Sequence, residues 1–426
     1  MNTPSCYSPR DRRPSFAEKT VIRPLSAVEH AFWLANRSVG NHIIHAAEID
    51  GAPAPHAWRT AFDALQWRHP LLSVRIPATP GGWPYFDLVR CPPIPLRHAT
   101  DAVWDAGGID SEWLDDLIAR ELDEPIDHDS APLMRAVIAS GPERSILLPV
   151  VSHVIYDGIS LAGCIRDLMQ VLNGESLDVL PFPQSLNHLL GEPDANPPRE
   201  TICLEGVRYP RRRPPAVRRL RLPRELSTRL VQRAREERTT VHGALCSAFV
   251  TAGRSLLPAW RHESIVLHSP VDLRRLWRKQ HDFGFFLTST RATIEPSLNS
   301  STWEFAREVL RRLDPEGARH AAGLRVRQYK ALLSSGMSAK DAMKPPGAEQ
   351  APDLGITNLG VLPGTSKSGR FRLSKLWGPL ARGRNPSYPT VAVSTIDGCI
   401  HLTMMSDVLT SPFLENAQAL LVEACE

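Results

Sequence analysis

A histidine, an aspartate and a glycine are spaced along the chain as HxxxDG, at His153, Asp157 and Gly158. An imidazole with an ordinary pKa of about 6.5 accepts a proton near neutral pH, so His153 has the chemistry of a general base. In a tight loop, Asp157 is expected to point back into the protein, where a carboxylate requires a cationic partner. Gly158 would permit a close turn. A buried structural histidine followed by an ordinary Asp-Gly turn explains the same residues, and both interpretations stay open on this spacing alone.

The elements on either side of this motif decide where it lies. Residues 145–153 form a nearly continuous apolar run, which is typical of a buried strand. Residues 159–174 have apolar side chains at helical spacing and end at Gly174. We therefore expect His153 at the end of a strand, where side chains face a cleft.

Helices and strands alternate along the rest of the chain. Ser26 and Glu29 form a capping box that predicts a helix start, and Asp397-Gly398 predicts the tip of a hairpin near the C-terminus. Further helices are expected at 224–238, 240–256, 302–313 and 317–334. Each half of the chain is thus predicted to be an α/β unit with a mixed sheet covered by helices.

The composition is that of an ordinary globular protein. The chain has 426 residues, 42% hydrophobic and 23% charged, with a formal net charge of +4. This charge is too small to indicate nucleic-acid binding by itself, and no apolar run is long enough for a membrane span. The cysteines are scattered without CxxC spacing, which favours a reducing, cytoplasmic location over a disulfide framework: Cys6, Cys91, Cys164, Cys203, Cys246, Cys399 and Cys425.

Proline-rich segments suggest how the chain is divided. Residues 1–20 are polar, without the apolar core of a secretory signal, and are expected to be a disordered tail. Residues 178–216 are rich in proline and aperiodic, which predicts a crossover linker. The expected domains are therefore an N-terminal lobe at 21–177, which carries the HxxxDG motif, and a C-terminal lobe at 217–426.

Several separated segments resemble one enzyme superfamily. They are VIRPLSAVEHAFW, AFDALQWRHPLLSVRI with the following GGW, SHVIYDG, SPVDLRRL, DFGFFLTST and GITNLGVLP, in that order. The chain resembles the acyltransferases related to condensation domains of peptide synthetases and to chloramphenicol acetyltransferase. Within them it is most similar to the phthiocerol/phthiodiolone dimycocerosyl transferase family of polyketide-associated acyltransferases.

The resemblance implies a fold, a reaction and a set of site residues. Two chloramphenicol-acetyltransferase-like lobes would enclose an active-site tunnel. His153 would be the catalytic base that activates an acceptor hydroxyl for direct attack on an acyl thioester. Asp157 and Gly158 would be structural, and Asp157 would pair with Arg274 from the second lobe. The donor would be acyl-CoA or an acyl carrier protein, in lipid or secondary-metabolite assembly, and one chain with both lobes would be a monomer.

Two departures from the family pattern bear on this function. Many condensation domains have two consecutive histidines, and here Ser152 stands at the first position, either filling space or forming a local hydrogen bond. The glycine segment reads DFGFF instead of the DFGWG of the related plant enzymes. That stretch is structural in the plant family, so no catalytic role is assigned to Asp282. Amide formation, a non-catalytic relative that binds carrier proteins, and thioester hydrolysis are the alternatives to ester formation.

A run of arginines lies where the crossover meets the second lobe, at Arg208, Arg211, Arg212, Arg213, Arg218, Arg219, Arg221 and Arg224. A solvated linker is the simpler interpretation. The alternative is a docking patch at Arg211, Arg212 and Arg213 for an acidic carrier protein or for coenzyme A phosphates. Nucleic acid is disfavoured because, apart from Tyr209, no aromatic residue is interleaved with the arginines.

Motifs for other chemistries are incomplete. His262-Glu263 lacks the second histidine of a zinc-protease helix, and GTSKSGR lacks the Lys-Ser/Thr pair that follows the last glycine of a phosphate-binding loop. No glycine fingerprint for a dinucleotide follows the first strand. We therefore expect no metal or redox cofactor.

Overall fold

The computed structural model describes residues 20–77, 83–105, 108–194, 215–277, 283–296, 301–343, 346, 350–362, 369–381, 388–408 and 412–426. The elements of the first half are β1 (Thr20–Pro24), α1 (Ala27–Val39), β2 (His42–Asp50), α2 (Pro55–Arg68), β3 (Val74–Arg75), β4 (Tyr85–Leu88), β5 (Leu96–Ala99), β6 (Trp104–Asp105), β7 (Gly108–Ile109), α3 (Ser111–Asp123), β8 (Met134–Ser140), β9 (Arg144–Ser152), α4 (Gly158–Leu172) and α5 (Leu186–Leu189).

The second half continues with β10 (Ala216–Arg221), α6 (Arg224–Glu236), α7 (Val241–Leu256), α8 (Ala259–His262), β11 (Ile265–Asp272), α9 (Arg274–Trp277), β12 (Leu287–Ile294), α10 (Thr302–Leu313), α11 (Pro315–His320), α12 (Ala322–Ser334), β13 (Leu354–Val361), β14 (Arg372–Ala381), β15 (Thr390–Ile396), β16 (Cys399–Ser406) and α13 (Phe413–Cys425). Short 3-10 turns lie at Pro70–Ser73 and Asp341–Met343.

Two mixed sheets dominate the described structure. One has the strand order β14-β2-β9-β8-β5, and the other has the order β10-β16-β15-β13-β11-β12. Strand β14 comes from the second half of the sequence but pairs antiparallel with β2 of the first half. Strand β14, which we call the exchanged strand because it belongs to the sheet of the other half, joins the two halves. Its C-terminal end reaches the loop after β9.

Each sheet has its own apolar core. Side chains from α1, α2 and α4 pack with β2, β8, β9 and β14 in the first core. The second core lies between the six-stranded sheet and the helices α6, α7, α10 and α13. Both sheets are mixed and helix-covered, which confirms the α/β class with two lobes that the sequence predicts.

Local signals in the sequence place most element ends correctly. Ser26 and Glu29 form the predicted capping box. Asp397 and Gly398 have φ values of 48° and 73° at the hairpin tip, a left-handed conformation that this residue pair tolerates well. The predicted helix at 317–334 is present as two helices, α11 and α12.

The division into domains stays a prediction. Residues 1–19 and 195–214 lie outside the described residues, and with them nearly all of the predicted tail and half of the crossover linker at 178–216. In the part of the crossover that is described, α5 packs its buried Leu186 against the first core. No helix among the described residues is long and apolar enough to cross a membrane.

Candidate active site

The HxxxDG loop joins β9 to α4. Eight consecutive residues of β9, from Ser145 to Ser152, are buried, and they end at the loop. Asp157 caps α4, where its Oδ1 accepts a hydrogen bond of 2.9 Å from the Ser160 amide. The carboxylate satisfies an amide that has no acceptor within the helix. The loop between Ser152 and Gly158 is therefore held at one end by a buried strand and at the other by a capped helix.

His153 is held by its backbone and by its ring. Its amide donates to the Asn41 carbonyl at 3.0 Å, and its Nδ1 lies 2.9 Å from the Tyr156 carbonyl. A carbonyl oxygen only accepts, so Nδ1 carries the proton and the neutral ring has its lone pair on Nε2. The rings of Phe32 and Phe285 pack against the imidazole at centroid distances of 5.1 and 5.4 Å. This tautomer is the one that a base acting through Nε2 requires.

A cavity of about 260 Å³ lies against this loop, and its wall comes from both halves of the chain. From the first half it is lined by Val28, Phe32, Asn41, Ile43, His153, Asp157, Gly158, Ile159 and Leu186. From the second half it includes Arg274, Leu287, Arg291, Arg325, Tyr329, Asn358, Pro379 and Tyr388. The wall is mostly apolar with a few polar groups, which is the usual character of a small-molecule site.

Asp157 and Arg274 meet across the two halves. Arg274 Nη1 lies 2.9 Å from Asp157 Oδ2, and Nη2 donates to Oδ1 at 3.0 Å. The two residues are only 3% and 2% exposed. Arg274 also donates to Ser160 Oγ at 2.8 Å and to Asp272 Oδ1 at 3.0 Å. The carboxylate and the guanidinium thus form a buried, bidentate ion pair that the sequence could only suggest through the family resemblance.

The surroundings keep Asp157 ionised. Burial raises the pKa of the Asp157 carboxyl, but the Arg274 guanidinium and the amides of Ser160 and Phe286 together lower it by more. The pKa of Asp157 therefore lies below its ordinary value. For Arg274, burial lowers the pKa, and the carboxylates of Asp157 and Asp272 outweigh this effect and raise it. Both members of the pair are therefore charged at neutral pH.

The described part of the glycine segment, Phe283 to Phe286, binds to the same loop. The Phe286 amide donates to Asp157 Oδ2 at 3.0 Å, and the Gly284 carbonyl accepts from the Asp157 amide at 3.2 Å. Phe285 lies against His153, and Phe283 packs on Tyr156. This segment positions the loop from the second half of the chain, while Asp282 lies outside the described residues.

Gly158 has a different role from the one its sequence context suggests. Its φ is not in the left-handed region, so the turn itself does not require glycine. Instead, an added Cβ would lie 2.6 Å from Pro379 of β14 and 3.3 Å from Leu359. Gly158 is needed because the exchanged strand β14 approaches the start of α4 closely.

Ser152 forms a specific hydrogen bond instead of only filling space. Its Oγ lies 2.7 Å from Nε2 of the buried His128 and accepts from the Val154 amide at 3.2 Å. Burial lowers the pKa of His128 to about 3, so this ring is neutral. The Asn36 amide nitrogen, a donor, lies 3.4 Å from His128 Nδ1, so Nδ1 accepts and Nε2 donates to Ser152. Ser152 therefore fixes the end of β9 next to His153.

The predicted docking arginines Arg211, Arg212 and Arg213 lie outside the described residues, and the docking patch stays a prediction. Arg219, from the same run, forms an ion pair with Asp115 and lies 5.0 Å from the Trp377 ring. At least this arginine of the run stabilises the fold.

Sequence reasoning did not identify the polar end of the cavity. Arg291, Arg325, Tyr329 and Tyr388 line the wall. The spacing of Ala322, Arg325, Val326 and Tyr329 is that of one helical face, but it gives no indication of which cavity the face meets. In the described part of the chain, no cluster of three or more His, Cys, Asp or Glu side chains could hold a metal ion.

Comparisons with known proteins agree with this architecture. Residues 211–376 match the family described as the phthiocerol/phthiodiolone dimycocerosyl transferase C-terminus. The structure of polyketide synthase associated protein 5 from Mycobacterium tuberculosis superposes with a TM-score of 0.65 at 15% identity, covering 96% of this chain and 98% of that one. The first condensation domain of the calcium-dependent antibiotic synthetase gives 0.64 at 16% identity, over 95% and 97%.

The chain is also similar in sequence to parts of large peptide synthetases. The chain is 24% identical over 328 residues to a plipastatin synthase of Bacillus subtilis, covering 69% of this chain and 12% of that protein. The phosphinothricin tripeptide synthetase PhsC of Streptomyces viridochromogenes is 26% identical over 65% of this chain and 28% of its own length. The chain thus spans only a small part of these relatives. The two-lobed fold that the sequence predicts is confirmed: the chain has the fold of these condensation domains and of the polyketide synthase associated protein, and residues 211–376 match the C-terminal model of the dimycocerosyl transferases.

Proposed function

We propose that this protein is an acyltransferase that moves an acyl group from a thioester onto a hydroxyl acceptor, with His153 as the general base. The observation that carries the proposal is the ring of His153 in the wall of the cavity between the two halves. Its Nδ1 is hydrogen-bonded to the Tyr156 carbonyl, which leaves the lone pair of the neutral ring on Nε2. A positioned base of this kind contributes ~10²- to 10⁴-fold in rate.

The proposed reaction is a direct transfer. Nε2 of His153 takes the proton of the acceptor hydroxyl while the oxygen attacks the thioester carbonyl. When the tetrahedral intermediate collapses, the carbon–sulfur bond breaks, and the imidazolium returns the proton to the leaving thiolate. The hydrogen bond from Nδ1 to the Tyr156 carbonyl holds the ring and stabilises its charged form.

The start of α4 supplies candidate donors for the oxyanion. The first amides of a helix have no acceptor within the helix, and Gly158 and Ile159 are the first residues of α4 and line the cavity. The positive end of the helix dipole also favours negative charge there. We assign these two amides to the oxyanion, while Asp157 and Arg274 act as positioning residues that fix the loop.

We further propose that the product is an ester, that the donor is acyl-CoA or an acyl carrier protein, and that the protein is a cytoplasmic monomer. Amide formation uses the same base and is the alternative. The superfamily relationship supports a place in lipid or secondary-metabolite assembly. Arg211, Arg212 and Arg213 remain the proposed docking residues for the donor. No cofactor is needed, because a base and a thioester leaving group suffice for the transfer.

The test is thiol release from a chromogenic acyl-CoA in the presence of a simple alcohol. His153→Ala is expected to lose at least ~100-fold in acceptor-dependent turnover while keeping the wild-type circular dichroism spectrum. His262→Ala, which removes an exposed histidine, is the matched control and is expected to retain activity. Wild-type turnover in His153→Ala would overturn the assignment. Thiol release without an acceptor would indicate hydrolysis, and no release from any free or carrier-bound thioester would favour a non-catalytic binding protein.

A further inference from the structure

One end of the cavity has arginine side chains on two neighbouring elements. Leu287, Ser289 and Arg291 of β12 all line the wall, as residues at alternate positions on a strand share one face. With a rise of ~3.3 Å per residue, Arg291 lies about 13 Å along β12 from Leu287. Leu287 pairs with Asp272, which binds Arg274 beside the HxxxDG loop. Arg291 is therefore at the far end of the cavity from that loop.

Arg325 reaches the same cavity from α12. It lines the wall together with Val326 and Tyr329 of that helix. Both Arg291 and Arg325 are partly buried. This end of the cavity thus combines two guanidinium groups with the tyrosines Tyr329 and Tyr388.

No carboxylate among the described residues balances the charges at this end. Within the described residues, neither Arg291 nor Arg325 forms an ion pair with a carboxylate, and Arg291 donates to the Gln350 carbonyl at 2.8 Å. The described carboxylates of the wall are Asp157 and Asp272, and both are bound by Arg274. Among the described residues, positive charge is therefore in excess where the cavity is furthest from His153.

The two arginines also lie close enough to affect each other. Burial lowers the pKa of Arg291, Tyr388 raises it, and the nearby Arg325 lowers it again. Partial burial of two like charges destabilises the folded protein unless a counter-ion is present. An anionic ligand between them would remove this cost, and the planar guanidinium fork suits a carboxylate or a phosphate.

We infer that this arginine end, formed by Arg291 and Arg325, binds an oxyanion carried by a substrate whose other end reaches His153. The inference rests on the proposed function for the position of the reacting group. The anion is either a carboxylate at the far end of the acceptor or the phosphate of a phosphopantetheine arm on the donor. Both present the same chemistry to the arginines, and the experiment separates them.

The test measures binding, with two pairs of probes that differ only in the anion. One pair is an ω-hydroxy fatty acid and the terminal diol of the same chain length. The other pair is phosphopantetheine and pantetheine. Titration calorimetry would be carried out on the wild type and on Arg291→Gln and Arg325→Gln. Arg327→Gln is the control, because Arg327 lies on the same helix and pairs with Glu192 outside the cavity wall.

The anionic member of one pair is expected to bind more tightly than its neutral partner, and each arginine variant to reduce that affinity by about 10- to 100-fold. Preference for the hydroxy acid assigns the site to the acceptor, and preference for phosphopantetheine assigns it to the donor. Equal affinity within both pairs, or unchanged affinity in both variants, would overturn the inference. His153→Ala is expected to keep the preference for the anionic over the neutral member of the pair, because that preference depends on the arginine end and not on His153, so a failure of the proposed reaction is distinguishable from a failure of this site.

Discussion

Replacing Arg274 with methionine tests the link between the two halves of the chain most directly. The change keeps most of the side-chain volume but removes the guanidinium that binds Asp157 at 2.9 Å, Ser160 Oγ at 2.8 Å and Asp272 at 3.0 Å. Loss of one partner from a buried pair leaves an uncompensated charge, which costs ~3–5 kcal/mol. We expect Arg274→Met to reduce the free energy of unfolding by about this amount.

The penalty should depend on pH in a defined direction. In the wild type the pKa of Asp157 is lowered, so its contribution to stability is present above the unfolded-state pKa of about 4 and is lost as the pH falls through the folded-state value. In Arg274→Met, burial is no longer outweighed, and the pKa of Asp157 is expected to rise above its unfolded value. The remaining carboxylate then destabilises the variant most at neutral pH and least in acid, where it is protonated.

The assay is urea unfolding followed by tryptophan fluorescence, at neutral pH and at about pH 5. Arg311→Met is the matched control, because Arg311 is 72% exposed and pairs with Glu308 on the helix surface, where ion pairs contribute little. If Arg274→Met is as stable as Arg311→Met, or if its penalty is the same at both pH values, the Asp157–Arg274 pair does not hold the loop as described.

Two further substitutions test the packing around His153. Gly158→Ala places a Cβ 2.6 Å from the Pro379 ring, so we expect it to lower the free energy of unfolding by ~1–3 kcal/mol and to lower turnover. Gly323→Ala is the control and should be tolerated, because its Cβ would have no neighbour closer than 3.8 Å. Equal stability of the two variants would exclude the close contact at Gly158. Ser152→Ala removes the acceptor of the buried His128 and is expected to cost ~1–3 kcal/mol in thermal or urea unfolding. Ser335→Ala, an exposed hydroxyl, should not change stability, and a similar result for Ser152→Ala would show that the His128 bond contributes nothing.

Local sequence determined the secondary structure and the position of the reactive loop. The apolar run of β9 and the periodicity of α4 are short-range features, so His153 could be placed at a strand end without knowledge of the fold. The family resemblance then supplied the two-lobed architecture and suggested Arg274 as a partner of Asp157. Element ends were predictable where a cap or a turn pair fixed them, as at Ser26 and Asp397.

Only the tertiary structure decided what surrounds the loop. Strand β14 crosses from the second half into the first sheet, and this long-range pairing is why Gly158 must be small. The tautomer of His153, the bond between Ser152 and His128, and the convergence of Arg291 and Arg325 likewise depend on the folded arrangement of the chain. Periodicity shows which face of an element is buried, but not which element covers it, because packing partners are chosen by the whole fold. The sequence thus determined the reactive groups, and the tertiary structure decided their orientation, their charge balance and the cavity they share.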